Sequence, residues 1–268
     1  MQKIIDFHCH IFPDRIAQKA TRATGEYYGV EMALGGTVNE LLEQYNSTAC
    51  EKIVVHSSAT VATQVTKIND FIYQSMQKNI DKLIGFGSLH PDMDDPYSEV
   101  ARIKAMGLKG IKLHPDFQNF ELDSEHADDM FRAIGEKYPV LIHLGDEKTD
   151  KSHPQRMYNL AKRFPYTTFV GAHLGGYAKW QVAEGLLAGL DNMFFDTSSS
   201  LSFLEPEYAA SLIKKYGTKH VVFATDYPMW KFDDEIARFN KLNLTGEECE
   251  DIFYNNAASI LEIENDMR

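Results

Sequence analysis

The sequence predicts an α/β fold in which residues 1–268 form one (β/α)8 TIM barrel with its active site at the C-terminal mouth, and three observations lead there. Eight short, β-rich apolar runs alternate with longer stretches of helical period and no break in composition, the pattern of a parallel sheet with crossover helices. The chain of 268 residues accommodates one such barrel, which takes about 250. Nearly every apolar run also ends in a polar or ionisable residue. An open doubly wound sheet would gather such groups near one switch point, whereas a closed barrel brings all its strand ends to a common mouth.

The elements follow in order. Residues 4–10 (IIDFHCH) are the first strand, and 11–36 read as a long, glycine-containing loop. A helix over 38–45 has Leu41, Leu42 and Tyr45 on one face. Strand two is 53–56 (IVVH), with a helix over 65–76; strand three is 83–89 (LIGFGSL). Asp94, Asp95 and Pro96 open a helix to about 106, since acidic caps and an early proline suit a helix start. Strand four, 110–114 (GIKLH), precedes a helix over 126–137. Strand five, 140–144 (VLIHL), precedes a helix begun by Ser152 and Pro154. Strand six is 167–173 (TTFVGAH), with a helix over 180–190. Strand seven is 193–197 (MFFDT), with a helix over 206–216. Strand eight, 221–226 (VVFATD), leads to helices over 233–239 and 245–261.

Composition narrows the function. Hydrophobic residues make up 44% and charged residues 25%, enough apolar material for a sizeable core. With 27 basic and 39 acidic residues the net charge is −12, which argues against nucleic acid or an anionic membrane as partner. A small-molecule substrate is expected, and a homodimer is compatible with the surface. Cys9, Cys50 and Cys249 form no CxxC pair and suggest no disulfide framework. The first residues do not read as a signal peptide, and no apolar run approaches the ~18 residues of a membrane span. A cytoplasmic protein is the expectation.

His8 and His10 stand two apart at the end of strand one, so alternation points both imidazoles into the barrel. One HxH pair among ten histidines would carry little, because a lone strand-end histidine is commonly satisfied by a hydrogen bond. Coincidence changes the odds: His143 ends strand five, His173 strand six and Asp226 strand eight. Imidazoles with a carboxylate suit one divalent metal and leave a position for water. Lys112 and His114 share a face on strand four and look into the same mouth.

The segments IIDFHCH, GIKLHP, VLIHLG, GAHLGG and ATDYP, in this order and spacing over essentially the whole chain, resemble the amidohydrolase superfamily. The resemblance is to the amidohydrolase 2 family, the aminocarboxymuconate-semialdehyde-decarboxylase-like branch. It implies a metal held by His8, His10, His143 and Asp226, with His173 beside it in contact with its water or the substrate. Zinc is the first expectation; manganese, iron(II) and cobalt suit the same donors. Asp226 and His173 are then the catalytic pair, and Lys112 and His114 the substrate contacts. In the wider superfamily a strand-four lysine can be carboxylated to bridge a second metal, which is here the lesser alternative; a structural lysine at the barrel rim is the third.

The reaction expected first is hydrolysis of a C–N or C–O bond in a small, carboxylate-bearing substrate by metal-activated water. The alternative is a lyase, a non-oxidative decarboxylase or hydratase of an unsaturated or aromatic acid. A phosphoesterase of the PHP type also begins with a strand-one HxH but would want a richer histidine cluster than strand eight offers. In the loop over 11–36, Arg15, Arg22, Tyr27 and Tyr28 are specificity candidates, although both arginines could equally pair with surface carboxylates. His56, Thr197 and Ser198 end strands two and seven and are candidate pocket residues. His90, His126, His153 and His220 read as bystanders.

Overall fold

A computed structural model describes residues 2–263. Eight strands lie side by side in chain order, every neighbouring pair parallel. They are β1 (Ile4–His10), β2 (Cys50–His56), β3 (Leu83–Ser88), β4 (Gly110–Leu113), β5 (Val140–Ile142), β6 (Phe169–Gly171), β7 (Met193–Asp196) and β8 (Val221–Val222). The sheet closes on itself between β8 and β1. Phe7 N donates to Phe223 O, Asp226 N to His8 O and His10 N to Tyr227 O, at 2.7–3.0 Å. The expected TIM barrel is the observed fold.

Strand alternation sorts the side chains into two cores. Ile53, Val55, Ile111, Leu113, Val140, Ile142 and Phe169 face outward and pack in the large core that also takes in the helices. Ile5, Phe7, Val54, Phe86, Leu141, Val170, Val222 and Ala224 fill the barrel interior, with Ala257, Ala258 and Leu261 among them. Continuing that inward phase up each strand reaches His56, Lys112, His143, Asp196 and Asp226. Strand one needs an extra device. Asp6 pairs with Ile53 and Cys9 with Val55, so three steps on β1 oppose two on β2. This bulge resets the phase: Ile5 and Phe7 point inward below it, Cys9 and Ile11 join the outer core above it, and His8 and His10 turn into the mouth.

The glycine-containing stretch after β1 is a loop only in its second part. Asp14–Tyr28 is a 15-residue helix, α1, that buries Ala17, Thr21 and Gly25 at four-residue spacing. Two of its glycines sit in the helix and at its end for separate reasons. Gly29 is the left-handed C-cap at φ 67°, where a glycine normally ends a helix. Gly25 sits where any Cβ would come within 2.7 Å of Val30 O and 2.9 Å of Met32. The strand ladders are also shorter than expected in β6 and β8. His173 and Asp226 lie just past them, with φ near 60°, a backbone region that costs energy outside glycine and collects at functional sites.

Candidate metal centre and active site

At the top of the barrel, His8 Nε2 lies 3.0 Å from His10 Nε2, and each is 3.4 Å from Asp226 Oδ1. His143 joins through its neighbour, with His173 Nε2 2.9 Å from His143 Nδ1. The structure thus brings His8, His10 and Asp226 together directly and sets His143 and His173 beside them.

Hydrogen bonds behind the rings decide which nitrogens face the site. His8 Nδ1 donates to Asp196 Oδ2 at 2.7 Å, leaving the Nε2 lone pair for the cluster. His143 Nε2 donates to Gly145 O at 2.8 Å, leaving Nδ1. Gly145 lies at φ 81°, and a Cβ there would come within 2.3 Å of Tyr177 O, so this turn is built around a glycine. His173 Nδ1 donates to Ser198 O at 3.0 Å. Such backing of ring N–H groups is what orients histidine ligands and raises their basicity.

The charges follow from burial. Desolvation, then the Lys112 ammonium, pulls His8 down to about 3. Burial also lowers His10, His56, His114 and His143, so these imidazoles are neutral, as metal ligands must be. For Asp226, burial opposes ionisation, but the rings of His8, His10 and His173 compete for its proton and hold it well below the carboxylate range. Ser199 Oγ donates to its Oδ2 at 2.5 Å. Lys112 is wholly buried, its Nζ 3.1 Å from His8 Nε2, and burial lowers it to about 8 against the pull of Asp196 and Asp226. It points at the histidine cluster from within the barrel and is not part of the cavity wall. Neutral imidazoles with freed lone pairs and an ionised carboxylate fit a divalent metal.

Above this cluster is a cavity of about 400 Å³. Its floor is His10, His114, His143, His173 and Asp226, and its walls include Phe12, Phe117 and Tyr177. Helix α1 covers it with Tyr27 and Tyr28. His114 stacks between Phe117, 4.0 Å from it centroid to centroid, and His143, 3.9 Å away. Arg15 is exposed and Arg22 pairs with Glu26, so neither reaches the cavity; of the two readings of these arginines, the surface one is correct for Arg22. Thr197 is not a wall residue either: it is buried, and its hydroxyl bridges Ala224 N and O. Ser198 supports His8, His173 and Asp196 from behind, and Ser199 takes the expected place on the wall. His90, His126, His153 and His220 bond elsewhere.

The amidohydrolase family model matches residues 5–263. The chain belongs to the amidohydrolase family. The motif-based resemblance was therefore correct at family level. No curated protein gives a significant match. Among solved structures, this amidohydrolase is similar to an uncharacterised TIM-barrel protein from Bordetella bronchiseptica, with TM-score 0.80 at 17% identity over 97% of this chain and 98% of that one. It is similar to 2,6-dihydroxybenzoate decarboxylase from Rhizobium, with TM-score 0.72 at 17% identity over 98% and 99%. A dihydroxybenzoic acid decarboxylase from Polaromonas, solved with manganese and 2-nitroresorcinol, gives TM-score 0.76 at 13% identity over 98% and 97%. Among the described residues of this amidohydrolase no helix is long and apolar enough to cross a membrane.

Tyr27 and Tyr28 lie over the site, as their place among the specificity candidates implies, whereas sequence reasoning missed Asp196 and the role of Ser199. Asp196 left a signal, an acid closing the apolar run MFFD.

Proposed function

We propose that this amidohydrolase-family protein is a metal-dependent, non-oxidative decarboxylase of a small aromatic or unsaturated acid, with His8, His10, His143 and Asp226 holding one divalent metal. The observation that carries the reading is the composition of the cavity. Its walls hold several aromatic rings, and among the described residues no arginine or lysine lines it. A planar acid entering there finds no side-chain cation for its carboxylate, which must then lie at the metal cluster on the floor. That pose suits loss of the carboxylate better than attack on a distant bond. Likeness to decarboxylases of dihydroxybenzoates, one with manganese bound, supports the same reading and makes manganese as reasonable as zinc.

When bound, the metal would supply positive charge that orients and polarises the acid. The remaining work falls to the protein. The aromatic walls exclude water and hold the ring flat. The carbon–carboxylate bond breaks, carbon dioxide leaves, and the electron pair left on carbon takes a proton. Asp226, which faces the cavity, would deliver that proton after taking it from a substrate hydroxyl or solvent. His173, whose Nδ1–H is held by Ser198, turns Nε2 to the same floor, where it would accept and return a proton alongside Asp226.

Hydrolysis is the second reading, favoured by Asp226 and His173 lying together at the floor, where they could serve a water nucleophile equally well. A panel of hydroxylated aromatic acids, lactones and amides, run in D2O and in H2¹⁸O with the metal content measured, separates the two. The expected result is carbon dioxide with one solvent deuteron on carbon. Solvent ¹⁸O in the product without carbon dioxide would make the protein a hydrolase.

A further inference from the structure

His56 is wholly buried, and neither ring nitrogen has a hydrogen-bond partner among the described residues. Two unpaired polar atoms on one buried ring are costly, and in a native interior they ask for a missing partner. Register says where that partner must be. His10 and His56 are paired across the β1–β2 ladder, so their side chains rise on the same face. The His56 ring lies 4.5 Å from that of His10, edge-on at 86°, and 4.9 Å from that of His8. One nitrogen from each of His8, His10 and His56 lies within 4.8 Å of the others. The cavity wall includes His10, Ser58 and Thr60 but not His56, so a substrate would not meet this ring first, whereas an ion between His8 and His10 would.

We propose that His56 is an additional ligand of the metal site, presenting one ring nitrogen to the ion that His8 and His10 hold. This rests on the metal reading above. His56 would then join His8 and His10, three imidazoles from two adjacent strands, beside Asp226.

The test is binding of cobalt(II) and manganese(II) to chelator-stripped protein, comparing wild type with His56→Gln and His56→Phe. Circular dichroism of each stripped protein establishes that it is folded, and the smaller change His56→Gln carries the test if the phenylalanine variant is not. The expected result is weaker binding by roughly 10- to 100-fold or more, with a changed visible absorption of the cobalt form as its coordination falls. Equal affinity and an identical cobalt spectrum in a folded variant would overturn the proposal, as would unchanged metal binding with weakened binding of an aromatic acid, which would make His56 a substrate contact. If the wild type itself takes up no metal, the metal reading fails first and this inference falls with it, a result distinct from the other two.

Discussion

His8 reaches the site with its Nδ1 bonded to Asp196, and the same carboxylate accepts the backbone N–H of His173 at 2.9 Å and of Ser198 at 3.0 Å. Ser198 Oγ donates to it as well, at 2.5 Å. Burial favours the neutral acid, but His8, His173 and Ser198 together lower the Asp196 pKa, so it remains a carboxylate that accepts three hydrogen bonds on Oδ1 and one on Oδ2. An asparagine has the same shape but brings an N–H₂ that must face at least one of these donors. Asp196→Asn should therefore leave the barrel folded and weaken metal binding by about 10- to 100-fold, the usual effect of losing a group behind a ligand. Titration of the stripped variant with manganese(II) measures this; an affinity equal to wild type would show that the His8 ring is oriented by packing alone.

Helix α1 roofs one side of the barrel mouth and narrows it to a cavity. Tyr27 Oη donates to Asp146, and Lys148 Nζ lies over the Tyr27 ring, tying the helix to the segment after β5. Tyr28 Oη stands 3.2 Å from His114 Nε2 and 3.3 Å from His143 Nε2. Because His114 Nδ1 accepts the N–H of Phe117 at 3.4 Å, its Nε2 is the protonated nitrogen and donates to Tyr28. The phenol's own proton is then free for a ligand. Burial first, then Asp146 and Asp116, raise the phenol's pKa, so that proton is retained at any working pH. Tyr28→Phe should raise KM, or the Kd of the best aromatic acid, by about 2- to 10-fold, the worth of one hydrogen bond, with metal content unchanged. Equal affinity in the variant would remove Tyr28 from the substrate's contacts. Nothing in the sequence marked this helix, because a small-residue face of Ala17, Thr21 and Gly25 lacks the large apolar side chains by which periodicity is read. The strands were legible because Val, Ile and Phe dominate them. The strand-end histidines and Asp226 were legible because such groups interrupt an otherwise apolar run. Asp196 and His56 interrupt theirs too, but their roles depend on neighbours from other strands that a one-dimensional reading does not see.

Across the whole molecule, polar groups buried in the seams tie stability to pH. Asp6 accepts Tyr45 Oη at 2.5 Å, His8 N at 3.1 Å and Thr225 N at 3.1 Å, fastening β1 to the segment after β8 where the barrel closes. Glu235, on the helix Phe232–Phe239, is the clearer probe because its side chain bonds to none of the cluster residues. Its side chain is wholly buried. One oxygen accepts Arg238 Nη1 at 2.5 Å and Ser202 Oγ at 3.4 Å, and the other meets no partner among the described residues. Burial outweighs the Arg238 ion pair and raises its pKa from 4.5 to about 7. The folded chain therefore holds this proton more tightly than the unfolded one. The stabilisation is complete below pH 4.5, falls as pH rises toward 7 and is gone above it. Glutamine mimics the protonated form at every pH. Glu235→Gln should thus match wild type near pH 4.5 and become the more stable protein by pH 8, by up to about 3 kcal/mol at 1.36 kcal/mol per pKa unit. Urea unfolding at a series of pH values measures the difference between the two proteins, which cancels the contribution of Asp6 and every other shared group. Curves that stay parallel from pH 4.5 to pH 8 would mean that Glu235 is ionised in the folded protein throughout, held by Arg238 more strongly than its burial opposes.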